Sequence, residues 1–252
     1  MSQPRFHALP DLGVVSFSGR DALAVPQSQL TADVSRLTQG TALPAAWCTP
    51  QGRVTAFLWL IGQGDGALAV LPRDVAPALA AGLARFVMRA RVTVRDESAA
   101  LAVAGLAGDS PAALDAAPVA HDGLLLARLP AGRALLVGAA GALAAYGEPL
   151  MAGSATDWRA RAIREGEPEV TAATSGEWIP QMLNLDLIGA VCFSKGCYPG
   201  QEIVARTHHL GRVKRRMARF HAAGPVLPVP GQALYEGGSK VAEVVSCAAG
   251  SP

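Results

Sequence analysis

The chain has 252 residues, half of them apolar and only 17% charged, which is ample material for a sizeable buried core in one large domain or two modest ones. Its formal net charge of +2 excludes the strongly basic balance of a dedicated nucleic-acid binder, although it leaves room for a local patch. Four cysteines, Cys48, Cys192, Cys197 and Cys247, form no C-x-x-C pair and have no histidine at zinc-finger spacing, which argues against a disulfide scaffold or a self-contained zinc site and fits reduced thiols.

Residues 1–12 lack the basic start and apolar stretch of a signal peptide. Arg128, Arg133 and Glu148 interrupt the most apolar region before it reaches membrane-spanning length, so a cytoplasmic protein with no membrane segment is expected. Leu12–Ser18 reads as a strand, 19–21 as a turn and 22–37 as one helix. β-formers over 53–61 and 67–71 flank the glycine-rich 62–66, which predicts a hairpin; that turn lacks the strand-to-helix setting and the lysine of a phosphate loop. Apolar spacing over 74–88 predicts a helix and alternation over 91–95 a half-exposed strand.

The next stretch repeats the flavour: a strand near 101–103, a helix near 111–116, a hairpin over 124–136 turning at 130–132, and a helix over 157–166. An irregular run follows through Pro168, Gly176 and Pro180 to Asn184, and loops of this length are functional or disordered. Residues 212–221 read as a positively charged strand and 239–247 as another, the opening of a β-barrel with too few strands to close it. The class is α+β. The expected organisation is one α+β region over 1–211, with subdomains of about 1–97 and 98–211, and over 212–252 the start of a truncated barrel.

Chemistry concentrates in the octapeptide Lys195-Gly196-Cys197-Tyr198-Pro199-Gly200-Gln201-Glu202. Pro199 suits a first helical position, and residues 201–209 read as a helix stopped by Gly211. Cys197 then sits just outside a helix N-terminus, where unpaired N–H groups favour a thiolate and Lys195 adds a cation pushing the same way. Cys48, Cys192 and Cys247 are expected to be core fillers. His208 and His209 are adjacent on a helix and point about 100° apart, so they do not share a metal ion. Arg206, Arg212, Lys214, Arg215, Arg216 and Arg219 form the strongest basic cluster; its bland reading is a solvated face, its sharper one an RNA contact, weakened by Phe220 being the only aromatic within it.

The octapeptide is similar to the K-G-C-[YF]-x-G-Q-E signature of the YgfZ branch of the YgfZ/GcvT-type folate-binding family. Supporting blocks occur in the expected order: Gly19-Arg20-Asp21-Ala22, Gln29-Leu30-Thr31-Ala32-Asp33-Val34, Gln51-Gly52-Arg53, Ile179-Pro180-Gln181-Met182-Leu183-Asn184-Leu185 and Ile203-Val204-Ala205-Arg206. The resemblance implies a cloverleaf of α+β subdomains around a tetrahydrofolate pocket, with a C-terminal β-barrel as the last leaf. It also implies folate-linked assembly or repair of iron–sulfur enzymes, including those that thiolate tRNA, with Cys197 as the essential thiol.

Carried over by position, Trp158 takes the place of a folate-contacting tryptophan, and Leu12 stands where a second aromatic is common. Asp33 and Glu202 are the carboxylates placed to accept hydrogen bonds from a pterin, Arg206 could pair with the folate tail or Glu202, and Tyr198 joins these folate contacts. Implied partners are iron–sulfur client or assembly proteins, a weak tRNA contact through Arg212, Lys214, Arg215 and Arg216, and a second copy at the open barrel edge. No complete catalytic constellation is visible. The alternatives are a one-carbon transferase of the aminomethyltransferase type and a tRNA-binding module.

Overall fold

The computed structural model describes residues 4–108, 114, 120–222 and 226–249. Its elements alternate short strands with short helices: β1 (Arg5–Ala8), β2 (Leu12–Ser18), α1 (Ala24–Gln29), β3 (Ala42–Cys48), β4 (Val54–Gln63), β5 (Gly66–Pro72), α2 (Ala76–Ala84), β6 (Thr93–Asp96) and β7 (Ala102–Ala107). There follow β8 (Ala120–His121), β9 (Leu124–Leu129), β10 (Arg133–Gly138), α3 (Ala140–Gly147), β11 (Met151–Gly153), α4 (Ala155–Arg164), α5 (Gln201–His209), β12 (Ala233–Glu236) and β13 (Ser239–Glu243). The expected α+β class holds. The helix expected near 111–116 lies, apart from the buried Leu114, outside the described residues.

Two sheets dominate. One has the order β3-β4-β5-β2-β6 with every pair antiparallel; the other has the order β11-β1-β7-β10-β9-β8, in which β1 joins β11 in parallel and β7 antiparallel. β1 therefore belongs to the second sheet although β2 belongs to the first, and the expected division near residue 97 is crossed by the first strand. Because side chains alternate across a strand, Val14, Phe57, Trp59 and Val70 face a core shared with Leu129, Leu135 and Val137 of the other sheet. Their neighbours Val15, Leu58, Leu60 and Leu71 face α1 and α2 on the outer side, and Leu106, Leu126 and Leu136 face α3. Both faces of each sheet are thus covered, which is why β4 reads as an unbroken apolar run where a half-exposed strand would alternate.

Several expectations are corrected. The helix expected over 22–37 stops at Gln29, since Leu30 is extended and Thr31 turns its hydroxyl into the core, donating to Ala190 O at 2.6 Å and accepting from Ala46 N at 2.8 Å. Asp33 then caps a separate turn at Val34–Arg36 by accepting from Ser35 N. Such side-chain bonds compete with helix propagation. The charged strand expected over 212–221 is irregular: Met217 N donates to Met182 O at 2.8 Å, Asn184 Nδ2 donates to Met217 O at 2.8 Å, and Arg216 forks onto Asp186 at 2.9 and 3.0 Å. Its backbone is bound to the 180–186 loop and pairs with no strand. No closed barrel forms among the described residues; β12 and β13 make a two-stranded ribbon. No described helix is long and apolar enough to cross a membrane.

Candidate functional site: an aromatic cavity and the Lys195–Glu202 loop

The cavity, of about 760 Å3 with its open mouth included, lies where α4 crosses the shared core. Its apolar wall comes from Leu9, Leu12, Phe57, Trp59, Leu135 and Trp158, and its polar rim from Asp11, Arg159, Glu167 and Glu169. Trp158 enters because α4 begins at a capping box: Asp157 N donates to Ser154 Oγ at 3.0 Å and Ser154 N donates back to Asp157 Oδ2 at 3.4 Å. The same Ser154 contact holds the Asp157 carboxyl below its ordinary pKa.

The indole packs against β7 at Gly105, where a Cβ would stand 2.4 Å from the ring, so only glycine admits it. Around it, the Arg133 guanidinium lies 5.4 Å from the ring centre and the His7 ring 5.9 Å away. Arg133 is itself buried and ion-paired with Glu167, and His7 Nδ1 bonds Ser154 O at 2.7 Å. The tryptophan is thus gripped by fixed neighbours. At the rim Arg159 Nε donates to Glu169 at 2.8 Å, with Asp11 at 3.5 Å from Nη2. Burial works against the Arg159 charge, but the two carboxylates outweigh it and its pKa rises.

The second region is the signature loop. Gly200 caps α5 at φ +81°, and a Cβ there would stand 2.5 Å from Thr49 O and 2.6 Å from Gly52 Cα; Gly52 in turn has φ +71°. The two glycine-bearing motifs therefore seat each other backbone to backbone, which no larger residue allows. Lys195 Nζ donates to the carbonyls of Gln27, Leu30 and Ala32 at 2.6, 2.7 and 2.7 Å, closing the open end of α1. Burial brings its pKa down to about 8, against the pull of Asp33 and Cys192. The Tyr198 ring packs below it, 5.6 Å from Nζ, and burial pushes its phenol pKa up.

Of the expected site residues, Trp158 and Leu12 line the cavity; Cys197, Lys195, Asp33, Tyr198, Glu202 and Arg206 do not. Asp33 accepts from Ser35 and Gln27 and faces Lys195, and these contacts, Ser35 foremost, hold its carboxyl below the usual range. Cys197 is exposed before the α5 cap, and Glu202 and Arg206 are exposed on α5. Lys195, expected to act on Cys197, is committed to carbonyls of the 27–32 segment.

Cys192, expected to be core filler, is only half-buried; burial opposes ionisation, yet contacts from Ser194 and from the Lys195 backbone outweigh it and lower the thiol's pKa. Cys48 is buried and pushed up to about 12. Sequence reasoning missed Asp11, Arg159, Glu167, Glu169 and Trp59. The Glu167-Pro168-Glu169 acids directly after α4 were the available signal.

No protein-family model matches the chain. The tRNA-modifying protein YgfZ of Photorhabdus laumondii is 34% identical over 243 residues, covering 90% of this chain and 74% of that protein. The namesake of Escherichia fergusonii is 32% identical over 242 residues with the same coverage. The chain belongs to the YgfZ family. Among solved structures, the glycine cleavage system aminomethyltransferase T of Bartonella henselae superposes with a TM-score of 0.62 at 14% identity, over 82% of this chain and 63% of that one. That likeness is one of fold. Within the YgfZ family frame, the Lys195–Glu202 loop and the Trp158 cavity are separate structures built on one shared core. Among the described residues, no three histidine, cysteine or acidic side chains gather as a metal site.

Proposed function

We propose that the protein is a tetrahydrofolate-binding accessory protein of the cytoplasm, serving the assembly or repair of iron–sulfur enzymes and through them tRNA modification, with Cys197 as its essential thiol. The observation that carries this reading is the ring-lined cavity beside Trp158, whose wall and rim fit a flat pterin. Trp158, Trp59 and Phe57 offer ring faces and edges, and Glu169, Glu167 and Asp11 offer acceptors to the N–H groups of a pterin edge. Leu12 contributes bulk without stacking. When bound, tetrahydrofolate supplies carriage of a one-carbon unit.

The chain's own residues hold the site: Arg133 and His7 fix the Trp158 plane, and Arg159 orients Glu169. Cys197, exposed at the start of α5, is presented to a partner protein. One thiolate is too few for a cluster, so an iron–sulfur client would supply the remaining ligands. The aminomethyltransferase fold keeps a one-carbon transferase as the second reading.

Titration of the purified protein with tetrahydrofolate, followed by tryptophan fluorescence, tests the first reading. Saturable binding that Trp158→Ala weakens about tenfold or more supports it; no saturable binding removes the folate half. Cys197→Ser separates the two readings, since it abolishes support of iron–sulfur enzymes in cells under the first and leaves amine-dependent turnover untouched under the second.

A further inference from the structure

The helix that begins beside Cys197 ends in a feature to which neither the cavity nor the thiol assigns a role. α5 is nine residues long, about 13 Å at the usual rise. At its far end the Phe193 ring stacks on His208, centroids 3.9 Å apart and 18° from parallel, while His209 meets Phe193 edge-on at 6.4 Å and His208 edge-on at 4.8 Å. Both histidines are exposed, and Phe193, half-exposed, rests one side on the shared core, so the three rings form a cluster anchored from below and accessible from above.

On α5 and the segment that follows it, Arg206, Arg212, Lys214, Arg215 and Arg219 are exposed and none has an acidic partner among the described residues, although the chain as a whole carries a net charge of only +2. Arg216, by contrast, forks onto Asp186 and Asn184 and anchors the segment. An ordinary solvated face intersperses both signs. Here five cations without an acidic partner among the described residues lie on α5 or on the segment directly after it, whose near end carries the stacked rings, and Phe220, 78% exposed, adds a fourth ring further along.

We propose that this surface, Phe193 with His208 and His209 flanked by Arg206, Arg212, Lys214, Arg215 and Arg219, binds single-stranded RNA. The cations would track the phosphates and the rings would take an unstacked base. A duplex hides its bases and an acidic protein has none, so the rings favour a single strand over either. The proposal rests on the reading that the protein serves RNA modification, and it moves the contact expected from the basic run alone onto a mixed surface without Arg216.

The test is fluorescence anisotropy of a labelled single-stranded oligoribonucleotide of roughly ten nucleotides, titrated with the full chain across a salt series. Affinity should fall with salt with a logarithmic slope of about −3, as expected for roughly four neutralised phosphates. Arg212→Ala with Arg215→Ala should lower that slope by about 1.4. Phe193→Leu keeps the packing bulk and should cost about tenfold in affinity at an unchanged slope, with an unchanged circular dichroism spectrum.

Binding that ignores salt overturns the proposal. So does equal affinity for heparin or duplex RNA together with an inert Phe193→Leu, which would mean a polyanion face and no more. Tetrahydrofolate titration keeps the two readings apart: weakened RNA binding with unchanged folate binding in the double arginine variant supports this surface, whereas an unaltered protein that binds folate and no RNA sinks only this surface.

Discussion

The cavity and the signature loop are held in opposite ways. Trp158 owes its position to other side chains, an ion-paired guanidinium on one side and an imidazole on another, with a single glycine giving it room. The loop owes its position to backbone: Gly200 against Thr49 and Gly52, and a lysine whose ammonium binds three carbonyls. A site made from side chains can be retuned one residue at a time. A site made from main-chain contacts changes all together, which would suit the proposed role of Cys197 as a thiol offered to a partner at one fixed height.

The largest effect should come from Arg133→Met. It leaves Glu167, only 10% exposed at its side chain, as an unpaired acid and strips one neighbour from Trp158, so a loss of about 3 kcal/mol in urea unfolding is expected. A double variant with Glu167→Gln should recover much of it, and a double variant as unstable as the single one would break the side-chain account of the cavity. Next comes Gly200→Ala. A Cβ in the left-handed region costs about 1 to 2 kcal/mol before the clash with Thr49 O is counted. Stability should drop and Cys197 should alkylate faster, while Trp158 fluorescence stays as it was; a spectral change would show that the two regions are one unit.

The smallest effect is a pH dependence at Lys195. Its folded pKa of about 8 lies below the ordinary 10.5, so between those values the unfolded chain holds more protons than the folded one. Stability of the native protein relative to Lys195→Met should therefore rise from about pH 8 to about 10.5. A flat difference over that window would mean that the three carbonyls hold the proton at its ordinary affinity.

How much of this was legible varies with the kind of signal. β2, the 124–138 hairpin and α5 followed from local pattern because apolar runs and turn residues coincide there. β3 was unreadable: Pro44 and three alanines give it little strand character, and the proline is tolerated only because β3 is an edge strand. α1 was read too long because nothing local reveals that the Thr31 hydroxyl is needed 159 residues away at Ala190. At the sites, Trp158 and Leu12 were placed by family resemblance, while nothing local revealed that Gly200 and Gly52 meet backbone to backbone. The acids of the cavity rim were missed, since their relation to Trp59 and Phe57 exists only once two sheets meet.

The pairing of β1 bears on how the polypeptide emerges from a ribosome. His7 lies opposite both Gly105 and Gly153, so its first neighbour is made about a hundred residues later and its second 146 residues later. At typical elongation speeds the strand waits roughly 5 to 20 s for its first neighbour and roughly 7 to 30 s for its second. Nascent-chain chaperones therefore have a defined interval in which to guard it, and the sheet beneath Trp158 cannot be completed until β11 has emerged.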